Sequence, residues 1–164
     1  MQKISKIKLI LIIVLSILIV ATLGFIWGNS CMPKESSAQT SQGVYDTVKP
    51  ALDTTFGKGK VTHDIFRKMA HSFEFMLLGA EVACLFCLIF ENVFKKVVYI
   101  LSIGLFVGVV DETIQIFTSR GPAVLDVLID FGGYLIAVAA VFVIILLVYF
   151  IKKRKKSRTD KTAQ

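Results

Sequence analysis

Charge is scarce in this 164-residue chain: 19% of it is Asp, Glu, Lys or Arg, against 55% hydrophobic residues and a mean hydropathy of +0.72. That apolar content exceeds what a soluble domain of this size hides in one core, which excludes a soluble globular enzyme. Cysteine is also rare. Cys31, Cys84 and Cys87 are an odd number with no small secreted framework around them, so a disulfide scaffold is excluded. Cys84 and Cys87 have the spacing of a redox pair, but they fall inside an apolar segment without a matching pair elsewhere and are expected to act as small buried hydrophobes. The chain has no P-loop, no dinucleotide-binding glycine fingerprint, no nucleophile elbow and no H-E-x-x-H spacing, so neither a cofactor nor a metal is expected. There is no internal repeat, which argues against a transporter built from repeats. The net charge of +7 sits beside apolar segments without a recognition motif, and no nucleic-acid partner is expected.

What the chain has is apolar length. A membrane helix needs ~20 mostly apolar residues, and four segments meet that requirement: 9–27, 69–90, 97–117 and 126–151. The fold class expected is all-α, a polytopic bundle of four transmembrane helices forming one membrane domain over residues 9–151. A short N-terminus (1–8), a loop (28–66) and a basic tail (152–164) complete the chain. The first segment follows Lys3, Lys6 and Lys8 as a signal peptide would, but a signal's apolar region is usually only ~7–15 residues long, so a retained span is expected. Gly28 stands three residues before Cys31, where a lipoprotein signal has an aliphatic residue, and lipidation is not expected. In the loop, Ser36, Ser37, Gln39, Thr40, Ser41 and Gln42 precede a weak apolar stripe of Val44, Val48, Leu52 and Phe56. A spacing of four predicts a helix lying on the membrane surface, interrupted at Pro50. Thr62 reads as an N-cap with Asp64 in the first turn behind it.

Lys and Arg collect on cytoplasmic loops. With both termini cytoplasmic, the inner segments hold twelve of the 19 basic residues and the outer segments seven. A multi-pass protein of the cell membrane with both ends inside is therefore expected. The run of Lys152, Lys153, Arg154, Lys155 and Lys156 is suited to anionic lipid headgroups. The same topology gathers the chain's unusual intramembrane polar residues on the outer side: Arg67, His71 and Glu74 on the second span, Asp111, Glu112 and Gln115 on the third, and Arg120, Asp126 and Asp130 around the start of the fourth.

Helical spacing sharpens this convergence. Arg67, His71, Glu74 and Glu81 lie on one face at i, i+4, i+7 and i+14. Gly104 and Gly108 continue the stripe of Asp111, Gln115 and Thr118 inward; Gly133, Ala137 and Ala140 do the same for Asp126 and Asp130. Small residues let helices approach closely in lipid, so the stripes are expected to face one another around a polar pocket. Intramembrane charges usually pair or line a cavity; Glu81, near the bilayer centre, must be protonated, paired or beside water.

The stretches Arg67-Lys68-Met69-Ala70-His71-Ser72-Phe73-Glu74-Phe75 and Asp111-Glu112-Thr113-Ile114-Gln115-Ile116-Phe117, followed by Arg120, Asp126, Asp130 and Gly133, resemble the VanZ-like family in order and spacing. The polar segment from Asn29 and Ser30 through Ser41 is similar to that family's serine-rich stretch. Phe75 stands where the family usually has tyrosine, and Ser119-Arg120-Gly121-Pro122 departs from its more common P-G-R order. The resemblance implies a small bacterial membrane protein whose namesake confers teicoplanin resistance.

The function expected is an outer-face pocket that binds or modifies a membrane lipid or lipid-linked envelope molecule, contributing to glycopeptide resistance or envelope homeostasis. Arg67, Lys68, Asp111, Glu112, Gln115, Arg120, Asp126 and Asp130 are the candidate binding residues. His71 and Glu74 are the candidate acid/base pair, because a carboxylate at i+3 can orient one imidazole tautomer. The residues fit three roles: a binding module, an acid/base enzyme on a lipid or lipid-linked precursor, and a non-catalytic partner of another membrane protein.

Overall fold

A computed structural model describes residues 5–118 and 124–162. These form five helices: α1 (Lys6–Ser30), α2 (Lys34–Phe56), α3 (His63–Ile89), α4 (Val93–Phe117) and α5 (Val124–Thr162), with no strand among the described residues. All but α2 are long and apolar enough to cross a membrane. α1, α3 and α4 each start a few residues before the expected span because their polar caps lie outside the apolar stretch. Ser5 accepts from the Lys8 amide to start α1, and Asn92 accepts from the Lys95 amide to start α4. Thr62 accepts from the Ile65 amide to start α3, as the sequence predicts.

The expected break at Pro50 is absent. α2 runs through it as one 23-residue helix. Proline removes one N–H and crowds the preceding turn, yet the helix continues to Phe56. It stops at Gly57, whose φ of 98° favours glycine, and the Gly57 amide donates to the Asp53 carbonyl. The Asp53 side chain then accepts from the Gly59 amide, closing the turn. Tyr45 docks this helix onto the bundle by donating to the Val61 carbonyl at 2.8 Å, and Ser41 lies 2.9 Å from His63 Nε2.

The bundle is built around α3 and α5, which run parallel with α1 and α4 antiparallel to them. Their crossing depends on two glycines. A Cβ on Gly79 would lie 2.5 Å from the Tyr134 carbonyl oxygen, and one on Gly133 would collide with the Ser72 side chain and carbonyl. Backbones can approach this closely only where side chains are missing. Tyr134 is fully buried on α5; its ring occupies the space that Gly104 leaves on α4, and its hydroxyl donates to the Ile100 carbonyl at 2.8 Å. Phe75, Leu78, Val82, Ile100, Val107 and Val138 fill the core around it. Ala140 departs from the expected stripe: it is exposed, and the packed face of α5 continues instead through Val138 and the partly buried Val141. The outward faces stay apolar, as with Ile10, Ile13, Ile17 and Val20 on α1, which is what a lipid-facing surface requires. Cys84 and Cys87 are half-buried on α3 and unbridged.

Candidate functional site

The C-terminal ends of α1 and α4 and the N-terminal ends of α3 and α5 meet at one end of the bundle, beneath α2. His71 stands at the centre. Its Nε2 is 2.9 Å from Asp111 Oδ2 and 3.6 Å from Asp130 Oδ2, while its Nδ1 is 3.2 Å from Glu74 Oε2. Three carboxylates from three helices therefore surround one imidazole, and both ring nitrogens face an acid. Phe75 meets the ring edge-on with centroids 5.5 Å apart, so at this position the aromatic ring packs against the histidine.

The surroundings hold these groups in place. Ser30 Oγ donates to Asp111 Oδ1 at 2.6 Å, and Gln115 Nε2 donates to Asp111 Oδ2 at 2.7 Å. Asn29 Nδ2 donates to Glu74 Oε1 at 3.0 Å. Thr118 Oγ1 donates to the Ser30 carbonyl at 3.1 Å, tying the end of α1 to the end of α4. Lys68 pairs with Asp126, joining the starts of α3 and α5. Asp111, fully buried with donors on both oxygens, has little rotational freedom, and it orients His71 through the Nε2 contact.

Above His71 lies a cavity of about 570 Å³ whose lining includes the exposed Met32, Lys68 and Ala70. Of the sequence candidates, Arg67, Lys68, His71, Glu74, Glu112, Gln115, Asp126 and Asp130 all line it. Asp111 does not: it is fully buried behind His71 and acts through the imidazole and Gln115. Arg120 lies outside the described residues. Apolar side chains including Phe25, Val44, Phe66 and Ile129 form the rest of the wall.

These charged residues lie within the stretch that the family model described as VanZ/LLP1 matches, residues 8–155. The chain belongs to the VanZ/LLP1 family. No curated protein and no solved structure gives a significant match.

In this VanZ/LLP1 chain the motif residues converge, but α1 contributes more than the sequence indicates. Ser30 and Asn29 bond directly to Asp111 and Glu74, whereas in the sequence they look only like the start of a serine-rich stretch. Their position one turn beyond an uncharged span is the signal that marks them. Deeper in the same interface Thr22 donates to Glu81 Oε1 at 3.1 Å, so the isolated mid-membrane acid is paired with α1. Ser72, which donates to the Ile129 carbonyl at 3.3 Å, is a second residue of the α3 motif with a positional role. Among the described residues, His71, Asp111 and Asp130 also bring three potential metal donors within 4.8 Å of one another.

Proposed function

We propose that the cavity receives the polar headgroup of an amphipathic envelope molecule, a membrane lipid or a lipid-linked wall precursor, which the protein binds or modifies at the outer leaflet. The observation that carries this reading is the cavity itself. Its volume of about 570 Å³ falls in the range of small-molecule sites, and its wall is divided between ionisable and apolar side chains. Arg67 and Lys68 suit phosphate or carboxylate; Phe66, Val44 and Ile129 suit the first carbons of an acyl or prenyl chain. Glu112, Asp126 and Asp130 keep the site from being a pure anion trap and favour a zwitterionic or cation-bearing headgroup.

The excess of basic residues outside this end of the bundle supports an extracytoplasmic orientation for the cavity. Such an orientation is where a glycopeptide antibiotic and its wall targets are encountered. The contribution we propose is therefore to teicoplanin-type resistance or to envelope homeostasis. The basic residues after Ile151 would rest on anionic headgroups of the opposite leaflet.

A catalytic version is favoured by one specific feature: His71 is held between Glu74 and Asp111, the arrangement in which an imidazole can pass a proton. Comparing lipid and wall-precursor profiles, together with glycopeptide susceptibility, between cells carrying the wild-type chain and an Arg67→Ala variant at equal membrane levels tests the proposal. A changed covalent structure in wild-type cells that is lost in the variant supports modification. Unchanged chemistry with altered antibiotic adsorption supports binding. Identical profiles, adsorption and susceptibility in both strains would overturn the reading.

A further inference from the structure

We propose that His71, Asp111 and Asp130 form a binding site for a divalent transition metal of the zinc class at the floor of the cavity. Its action on an envelope headgroup rests on the proposed function, whereas its metal binding stands by itself.

One donor atom from each of the three residues lies within 4.8 Å of the others. His71 Nε2 is 2.9 Å from Asp111 Oδ2 and 3.6 Å from Asp130 Oδ2. Zinc bonds of ~2.0–2.2 Å at tetrahedral angles space donors by roughly 3.3–3.5 Å. The two separations from His71 bracket that value and the third lies within 4.8 Å, so a rotation of Asp130 is the main adjustment a metal would need.

Asp130 points to a ligand independently of this spacing. It is 3% exposed, faces the cavity, and accepts no hydrogen bond among the described residues. Its ion-pair contact among the described residues is the long one to His71, at 3.6 Å. Buried carboxylates are ordinarily paired or hydrogen-bonded because the desolvation they suffer is large. Charge balance gives the same direction: Glu74, Asp111 and Asp130 surround one imidazole, and no Lys or Arg among the described residues forms an ion pair with any of them. A bound dication offsets most of that negative charge.

The supporting groups match what metal sites use. A ligating histidine almost always gives its other ring nitrogen to a carboxylate or carbonyl, and Glu74 occupies that place 3.2 Å from Nδ1, itself held by Asn29. Asp111 is fixed by Ser30 and Gln115, which leaves Asp130 as the adjustable ligand. Three protein donors with a cavity in front leave a coordination position for a phosphate or carboxylate oxygen, the anionic class that Arg67 and Lys68 also suit.

The test uses the full chain in detergent, stripped with a chelator and titrated with Zn²⁺ alone and, in parallel, with Co²⁺ as a visible-absorbing probe. The wild-type protein is expected to take up one equivalent of either metal. Asp130→Asn should lose at least ~10-fold in affinity while the metal-free variant unfolds no lower than wild type, since no hydrogen bond depends on the carboxylate and its desolvation cost is removed. Glu74→Gln should weaken binding by ~10–100-fold, the usual effect of losing a histidine's carboxylate partner. Glu91→Gln, in the exposed turn between α3 and α4 at the opposite end of the bundle, should bind like wild type. Absence of stoichiometric uptake by folded wild-type protein, or equal affinity in Asp130→Asn, overturns the site. If uptake fails while Arg67→Ala still alters the envelope phenotype, the metal inference falls and the proposed function stands. Normal uptake with no envelope effect of Arg67→Ala sustains the metal site and removes the function.

Discussion

Removing one hydroxyl, with Ser30→Ala, tests whether α1 belongs to the site or merely packs beside it. Ser30 and Asp111 are both fully buried and joined by a 2.6 Å hydrogen bond between α1 and α4. Serine and alanine differ little in volume, so the packing change is small and the lost bond dominates. Interhelical hydrogen bonds in membranes average ~0.6 kcal/mol with a maximum near 1.7, whereas bonds to charged groups reach ~1.5–3 kcal/mol. Asp111 Oδ2 keeps His71 and Gln115, but Oδ1 loses its donor, so the upper end of the membrane range, about 1.5 kcal/mol, is expected. Combined with Asp111→Ala, which removes the acceptor, in a double-mutant cycle, the coupling should be ~1 kcal/mol. Unfolding in mixed micelles at increasing denaturing detergent measures it, with Trp27 fluorescence as the signal; Trp27 is the chain's one tryptophan and lies a turn from Ser30. Thr22→Val provides the control, because Thr22 bonds Glu81 deeper in the bundle and should add to Asp111→Ala within ~0.3–0.5 kcal/mol. A Ser30–Asp111 coupling below ~0.3 kcal/mol would refute the claim that α1 is part of the network.

Three further outcomes are expected. Gly133→Ala drives a methyl group into Ser72 and should destabilise the bundle by ~1–3 kcal/mol, read as a lower unfolding temperature; an unchanged temperature would contradict the close α3–α5 crossing. Glu81→Gln retains an oxygen to accept from Thr22, so it should leave envelope function intact and alter stability by less than ~1 kcal/mol; loss of function at normal membrane levels would extend the site to the bundle centre. Reporters between residues 34 and 60 should be extracytoplasmic, and those at Asn92 and after residue 156 cytoplasmic; the reverse pattern would move the cavity to the inner face.

The local and statistical properties of this chain were legible in its residues. Four mostly apolar stretches dictate membrane-length helices because lipid leaves backbone groups no partner outside the helix. The i, i+4, i+7 spacing put Arg67, His71 and Glu74 on one face, and the order of the charged motifs carried the family. Thr62 was recognisable as a cap because capping depends only on residues within the next turn. Pro50 misled, since proline's effect on a helix is decided by the flanking turns and α2 absorbs it. Tertiary structure alone decided what depends on distances between helices. His71, Asp111 and Asp130 are separated by tens of residues, so no short metal-ligand spacing could reveal them, yet the Gly79 and Gly133 crossing brings α3 against α5 closely enough to gather them within 4.8 Å. Ser30 and Asn29 acquire their role in the same way: a hydrogen bond between helices has no periodicity in sequence, and only the packing of α1 against α3 and α4 turns two ordinary polar residues into the supports of a buried histidine.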